Sequence, residues 1–156
     1  MLVPIIMGSK SDLEHARKIV AALDAFGLRS ELRIASAHKA TTFCLGVLEA
    51  YEANPEPKVY ITIAGRSNAL SAVVDAHVAG PVIACPPYSD KYGGGDIFSS
   101  LRMPSGIAPA VVTEPTGAAM LAAKMLSLHD PTLRDKVRAA HRAYTDAIVA
   151  DDADLR

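Results

Sequence analysis

Four times along this chain a short β-like run alternates with a segment of helical periodicity, and that alternation constrains the fold more than any other feature. Leu2-Val-Pro-Ile-Ile-Met7 stops at Gly8, and Ser11-Asp-Leu-Glu14 reads as a capping box opening a helix with apolar positions Leu13, Ala16, Val20 and Leu23. Gly27 ends that helix. Residues 29–35 then alternate, with Leu32 and Ile34 against Glu31 and Arg33, and a second helix is expected from about Thr41 to Tyr51. The β-rich run 58–64 closes on Gly65-Arg-Ser-Asn68, and an apolar helix to about Ala79 leads into Pro81-Val-Ile-Ala84. Such alternation argues for a parallel sheet with helices on both faces. The expected fold is α/β, a three-layer αβα sandwich with a doubly wound sheet. Pro4 is compatible with it, because proline is tolerated near a strand start.

Beyond Cys85 the character changes. Pro86-Pro-Tyr-Ser-Asp-Lys-Tyr-Gly-Gly-Gly95 is turn-rich, and is followed by a short helix over Asp96–Leu101 and a strand candidate at Ala110–Val112. A loop of that length in a compact domain reads as a lid or binding loop, with Gly93 to Gly95 supplying mobility. The segment Thr116–Leu128 is apolar nearly all round, as suits a helix buried on more than one side, and Asp130-Pro131 supplies the N-cap and first position of another. In that last helix Val137, Ala140, Tyr144 and Ile148 form one stripe, which packs either on its own domain or on another subunit. With no repeat or linker, residues 1–156 read as a single domain.

Composition excludes several function classes. The 16 Lys+Arg against 17 Asp+Glu leave a net charge of -1 and no basic stripe, so nucleic acid is not an expected partner. The apolar run Leu2–Met7 lacks a basic flank, and the stretch 70–85 is broken by Asp75, His77 and Pro81, so no membrane segment is expected. Cys44 and Cys85 make no disulfide framework, and no cluster has zinc spacing; a cytoplasmic protein without a structural metal is the expectation.

In an open parallel sheet ligands bind beyond the carboxyl ends of the strands, and three of those turns are distinctive. In Gly8-Ser-Lys-Ser-Asp12 the glycine frees the backbone, Ser9 and Ser11 offer hydroxyls, and the new helix presents its N–H groups to an anion. Asp12 has the chemistry to accept hydrogen bonds from a ribose diol, although Ser11 and Asp12 serve equally as helix caps. Ser36-Ala-His-Lys39 sets an imidazole beside an ammonium, and a neutral His38 suits a general base. Ala64-Gly-Arg-Ser-Asn68 combines a glycine with small polar groups able to hold a carboxylate oxygen. His15, His77, His129 and His141 lie away from these turns and read as structural or solvent-facing; Cys85, lacking a paired base, reads as a small buried residue rather than a nucleophile.

Met7-Gly-Ser-Lys-Ser-Asp12, Ser36-Ala-His-Lys39, Ala64-Gly-Arg-Ser-Asn-Ala69 and Ser99-Ser-Leu-Arg-Met-Pro-Ser-Gly106 together resemble the catalytic subunit of phosphoribosylaminoimidazole carboxylase, over almost the whole chain. That family has a mutase branch, which moves a carboxylate from the exocyclic nitrogen to carbon 4 of the imidazole, and a branch that takes carbon dioxide directly. Lys39 in place of the mutase arginine, and Ala69 in place of its histidine before Leu70, resemble the direct carboxylase.

The resemblance implies a flavodoxin-like sandwich in purine biosynthesis, a homo-oligomer, commonly an octamer, with sites at subunit contacts and the C-terminal helix from about 130 among them. It implies aminoimidazole ribonucleotide and carbon dioxide as substrates, with neither ATP nor a cofactor. Carried over residue by residue, Ser9, Ser11, Ser36 and Lys39 surround the phosphate, Asp12 holds the ribose, Gly65, Ser67 and Asn68 border the carboxylate pocket, and His38 moves the proton. The mutase is the second reading. A non-enzymatic nucleotide-binding or phospho-signalling module is the third, disfavoured because a receiver domain wants acidic residues where this chain has Gly8-Ser-Lys and Gly65-Arg.

Overall fold

The computed structural model describes residues 1–156. Its centre is a five-stranded sheet in the order β2-β1-β3-β4-β5, all parallel, from β1 (Leu2–Met7), β2 (Arg29–Ile34), β3 (Tyr60–Ile63), β4 (Val82–Ala84) and β5 (Ala110–Val111). Six helices cover it: α1 (Leu13–Phe26), α2 (Thr41–Glu52), α3 (Ala69–His77), α4 (Phe98–Leu101), α5 (Pro115–Leu126) and α6 (Pro131–Ala153). The α/β reading therefore holds.

Side chains of a strand alternate between faces, and here both faces are buried. Val3, Ile5, Met7, Ile61, Ile63 and Ile83 point into a core shared with α1, α5 and α6, while Leu2, Ile6, Tyr60 and Val82 point into a second core under α2 and α3. The polar Thr62 belongs to the second face, where its Oγ1 lies 2.7 Å from Ser71 Oγ of α3. Four alanines of α5, Ala118, Ala119, Ala122 and Ala123, are fully buried, as the apolar-all-round pattern required.

Three local expectations are corrected. The N-terminal cap of the first helical segment sits two residues earlier than Ser11-Glu14: the Ser9 N–H donates to Asp12 Oδ2 at 3.0 Å, a 3-10 turn runs over Lys10–Asp12, and Glu14 instead pairs with Arg17. The expected helix over Asp96–Leu101 is preceded by a 3-10 stretch from Lys91 and becomes α-helical only at Phe98. On the edge strand β2, which has a neighbouring strand on one side only, Leu32 and Ile34 remain 37% and 46% exposed. The stripe on α6 divides in the same way: Val137 is buried and Ala140 partly so, but Tyr144 and Ile148 are exposed. Asp130 caps that helix as its sequence indicates, its Oδ1 accepting from the amides of Thr132 and Leu133.

Candidate active site

Register alone brings the polar turns together. Met7 lies opposite both Ile34 and Ile63, and Thr62 opposite Ala84, so the residues that follow β1, β2, β3 and β4 emerge along one edge. The ladder continues one step beyond the strands, with Gly8 N–H donating to Ile63 O at 2.9 Å and Ala35 N–H to Met7 O at 2.9 Å. In this order the direction in which successive strands are added reverses between β1 and β3, the place where a crevice forms in such sheets.

That crevice is a cavity of about 670 Å³ lined by Gly8, Ser9, Ser11, Asp12, Ser36, His38, Lys39, Ala64, Gly65, Arg66, Ser67 and the loop residues Pro87 to Lys91 and Asp96. Eight of the nine residues singled out from sequence are thus its walls. Ser9 Oγ and Ser11 Oγ are 2.5 Å apart, and the Asp12 carboxylate that holds the Ser9 amide also faces the cavity, so capping and lining are one arrangement. The Lys39 N–H donates to Ser36 Oγ at 3.2 Å, a short turn that turns out the exposed His38 between them.

Asn68 stands apart. It is buried behind the wall, where its Oδ1 accepts from the Ser71 amide and hydroxyl and its Nδ2 donates to Ser100 Oγ. Its side chain holds the turn and lines no part of the cavity.

The structure adds Arg66, Tyr88, Asp90, Lys91 and Asp96 to the site. Arg66 lay inside a motif already noted, and the others lie in the long loop, whose sequence marks it as a binding loop but not which residues turn inward. Lys39, Arg66 and Lys91 form no salt bridge within the chain, so three cations border the cavity uncommitted. The loop is shaped by left-handed backbone at Tyr92, Gly93 and Gly94, with φ of 55°, 62° and 77°; two of the three glycines serve that turn.

Cys85 does have a neighbouring base, contrary to the sequence reading. His15 Nε2 lies 3.3 Å from its sulfur. Burial nevertheless pushes the thiol up to about 12, with Glu114 adding to the shift, so Cys85 stays protonated and is no nucleophile. A second groove, about 510 Å³ between α1, α5 and α6, is lined mostly by alanine and aromatic side chains, and its one ammonium, Lys136, donates to Phe26 O. It lacks the converging polar groups that line the strand-end cavity.

A model of the AIR carboxylase family matches residues 2–147. The chain belongs to the AIR carboxylase family. It is 52% identical over 155 residues to phosphoribosylaminoimidazole carboxylase of Treponema denticola, covering 99% of this chain and 98% of that protein. It is 50% identical over 156 residues to the Archaeoglobus fulgidus protein of the same name, covering all of this chain and 86% of that one. A bifunctional mouse protein, phosphoribosylaminoimidazole carboxylase/phosphoribosylaminoimidazole succinocarboxamide synthetase, is 42% identical over 138 residues, which are 32% of its length. The crystal structure of Treponema denticola PurE superimposes with a TM-score of 0.98, over 99% of this chain and 98% of that one. This member of the AIR carboxylase family is therefore an enzyme of purine biosynthesis. No helix is long and apolar enough to cross a membrane.

Proposed function

We propose that this enzyme carboxylates carbon 4 of aminoimidazole ribonucleotide directly with carbon dioxide, without ATP, and that His38 takes the displaced proton. The observation that carries the reading is the common cavity: an anion cradle at Gly8-Ser-Lys-Ser11, an imidazole at His38 and a glycine turn at Gly65 all face one space. The names of the Treponema and Archaeoglobus relatives support the carboxylase, and Lys39 and Ala69 support the direct branch over the mutase.

The chemistry asks little beyond positioning. The electron pair of ring carbon 4 forms a bond to the carbon of carbon dioxide, and one C=O pair moves to oxygen as a carboxylate. Carbon 4 then carries both the carboxylate and its hydrogen. His38 removes that proton, the C–H pair returns to the ring and aromaticity is restored, a step to which a placed base contributes about 10² to 10⁴-fold. Ser9, Ser11, Ser36 and Lys39 hold the phosphate, Asp12 holds the ribose hydroxyls, and Gly65 and Ser67 border the carboxylate. Asn68 contributes by holding that turn in shape. Carbon dioxide is small and binds weakly, so fixing the ring beside it exploits proximity.

His38 is exposed in the single chain, as are Tyr88 and Tyr92 of the loop, at 91% and 79%. A homo-oligomer, with an octamer the expected size, would shield this edge; light scattering that found a monomer at micromolar concentration would count against it. The reaction itself is tested by supplying aminoimidazole ribonucleotide with bicarbonate and no ATP, beside the same enzyme given the N-carboxylated nucleotide. Product from the first mixture, lost in His38→Asn with nucleotide binding retained, is the expected result. Turnover of the second mixture alone would make the enzyme a mutase.

A further inference from the structure

We propose that His15 is a positioning residue for this reaction, holding the root of the cavity wall Pro87–Asp90 against the helix that starts beside Asp12. The inference rests on the carboxylase reading for its assay.

The need for such a tie is written in the backbone. The Cys85 N–H donates to Thr62 O at 2.8 Å, the last sheet hydrogen bond before the wall. Pro86 and Pro87 have no N–H, and the amides of Tyr88, Ser89 and Asp90 donate to no protein group. One side of the cavity thus leaves the sheet without ladder support.

Side chains fix its root instead. His15 Nε2 is 3.3 Å from Cys85 Sγ, and that sulfur is 3.7 Å from Thr113 O. With the thiol hydrogen directed at Thr113 O and the imidazole N–H at sulfur, each group has a partner. The start of α1, the end of β4 and the segment before α5 are joined at one point. His15 lies in the first turn of α1, three residues after Asp12, so the tie runs from the carboxylate proposed to hold the ribose to the proline pair.

Pro87 in turn sits against the turn after β3. A Cβ built on Gly65 would come within 3.3 Å of Pro87 Cγ, which leaves no slack between the two walls. Two successive prolines fix their own φ, which leaves only the intervening ψ angles to take up a shift at Cys85 before it reaches Pro87. Burial keeps the His15 imidazole below its ordinary range and the Cys85 thiol above its own, so both are neutral near pH 7 and the contact is a hydrogen bond between neutral groups. Neither residue lines the cavity. Their effect on substrate runs through the wall.

The test is steady-state kinetics on aminoimidazole ribonucleotide with bicarbonate, together with thermal melts, for His15→Ala, His15→Gln, Cys85→Ala and the double alanine variant. His15→Ala is expected to raise KM for the nucleotide about 5- to 10-fold with kcat within about 2-fold, the size of one hydrogen bond lost from a binding wall. Cys85→Ala, which removes the sulfur but keeps the Cys85 backbone beside the imidazole, should raise KM by no more than His15→Ala, and the double variant should be no worse than His15→Ala, since the imidazole–sulfur contact is common to both. His15→Gln, which keeps a donor near the Nε2 position, should restore KM. An unchanged KM in folded His15→Ala, with only the melting temperature lowered, overturns the proposal, as do additive effects in the double variant. If His15→Ala does not fold, Cys85→Ala compared with His15→Gln carries the test. Should the wild-type enzyme turn over only the N-carboxylated nucleotide, the same KM comparison is made with that substrate, so failure of the direct-carboxylase reading and failure of the tie remain separate results.

Discussion

Asn68 Nδ2 donates to Ser100 Oγ at 2.9 Å, joining the turn after β3 to the helix that ends the long loop. The same side chain caps α3 through the Ser71 amide, and the Asn68 N–H donates to Ser99 Oγ at 3.1 Å. Asn68→Ala removes the cap and strands a buried hydroxyl, so a loss of about 2 kcal/mol is expected. Urea denaturation would read it, and faster amide exchange over Phe98–Leu101 would show that the loop had lost its anchor. A stability within about 0.5 kcal/mol of wild type would contradict this account.

Gly65 is required by contact rather than by an unusual φ. A methyl group there meets Pro87 Cγ at 3.3 Å and Cδ at 3.4 Å, and the proline ring is held by its own chain. Gly65→Ala is expected to cost about 1 to 3 kcal/mol of stability by overpacking and to lower kcat/KM by more than 10-fold, because both displaced walls face the substrate. Wild-type kinetics for Gly65→Ala would show that the walls give way.

Arg66 carries a planar guanidinium with no carboxylate partner in the chain, beside the turn proposed to border the new carboxylate. The substrate and product differ only in that group. Arg66→Ala is expected to weaken binding of the carboxylated nucleotide about 10- to 100-fold, the range for a charge-assisted hydrogen bond, while binding of aminoimidazole ribonucleotide stays within about 2-fold. Isothermal titration with each nucleotide separates the two; equal losses would assign Arg66 to the phosphate instead.

Stability should fall on both sides of neutrality through the His15–Cys85 pair. Burial lowers the His15 pKa, so the unfolded chain binds that proton more readily, and the contribution of the neutral imidazole is lost as pH falls below about 6.5 toward the folded value. The thiol behaves in the opposite sense. Its folded pKa is raised to about 12, so its contribution is complete below the unfolded value of about 8.5 and is lost as pH rises beyond it. Urea midpoints measured from pH 5 to 10 are expected to be level between these limits, with the acid limb flattened in His15→Gln and the alkaline limb in Cys85→Ala.

Much of this architecture is legible in the chain because its causes are local. Each run such as Leu2–Met7 or residues 58–64 is apolar on both faces, as a strand between two helical layers must be, and Gly8, Gly27 and Gly65 punctuate the alternation. A parallel sheet also puts the turns after its strands at one edge, so the sequence alone groups Ser9, Asp12, Ser36, His38, Lys39 and Ser67. The caps show the limit of local reading: Ser11-Glu14 and Ser9-Asp12 satisfy similar patterns, and only the 3-10 turn decides between them.

What the tertiary structure alone decided depends on distant segments meeting. The sheet order β2-β1-β3-β4-β5 sets β2 at an edge and leaves Leu32 and Ile34 exposed, although their alternation is that of a covered strand. The return of the long loop across the strand ends brings Asp90, Lys91 and Asp96 to face Asp12 and His38 around one cavity. His15 and Cys85, 70 residues apart, become neighbours only because the start of α1 comes beside the residue that follows β4. Periodicity and turn chemistry are properties of a few successive residues and survive in the sequence; which side chains meet is set by crossovers and packing between layers, and no short stretch of chain encodes it.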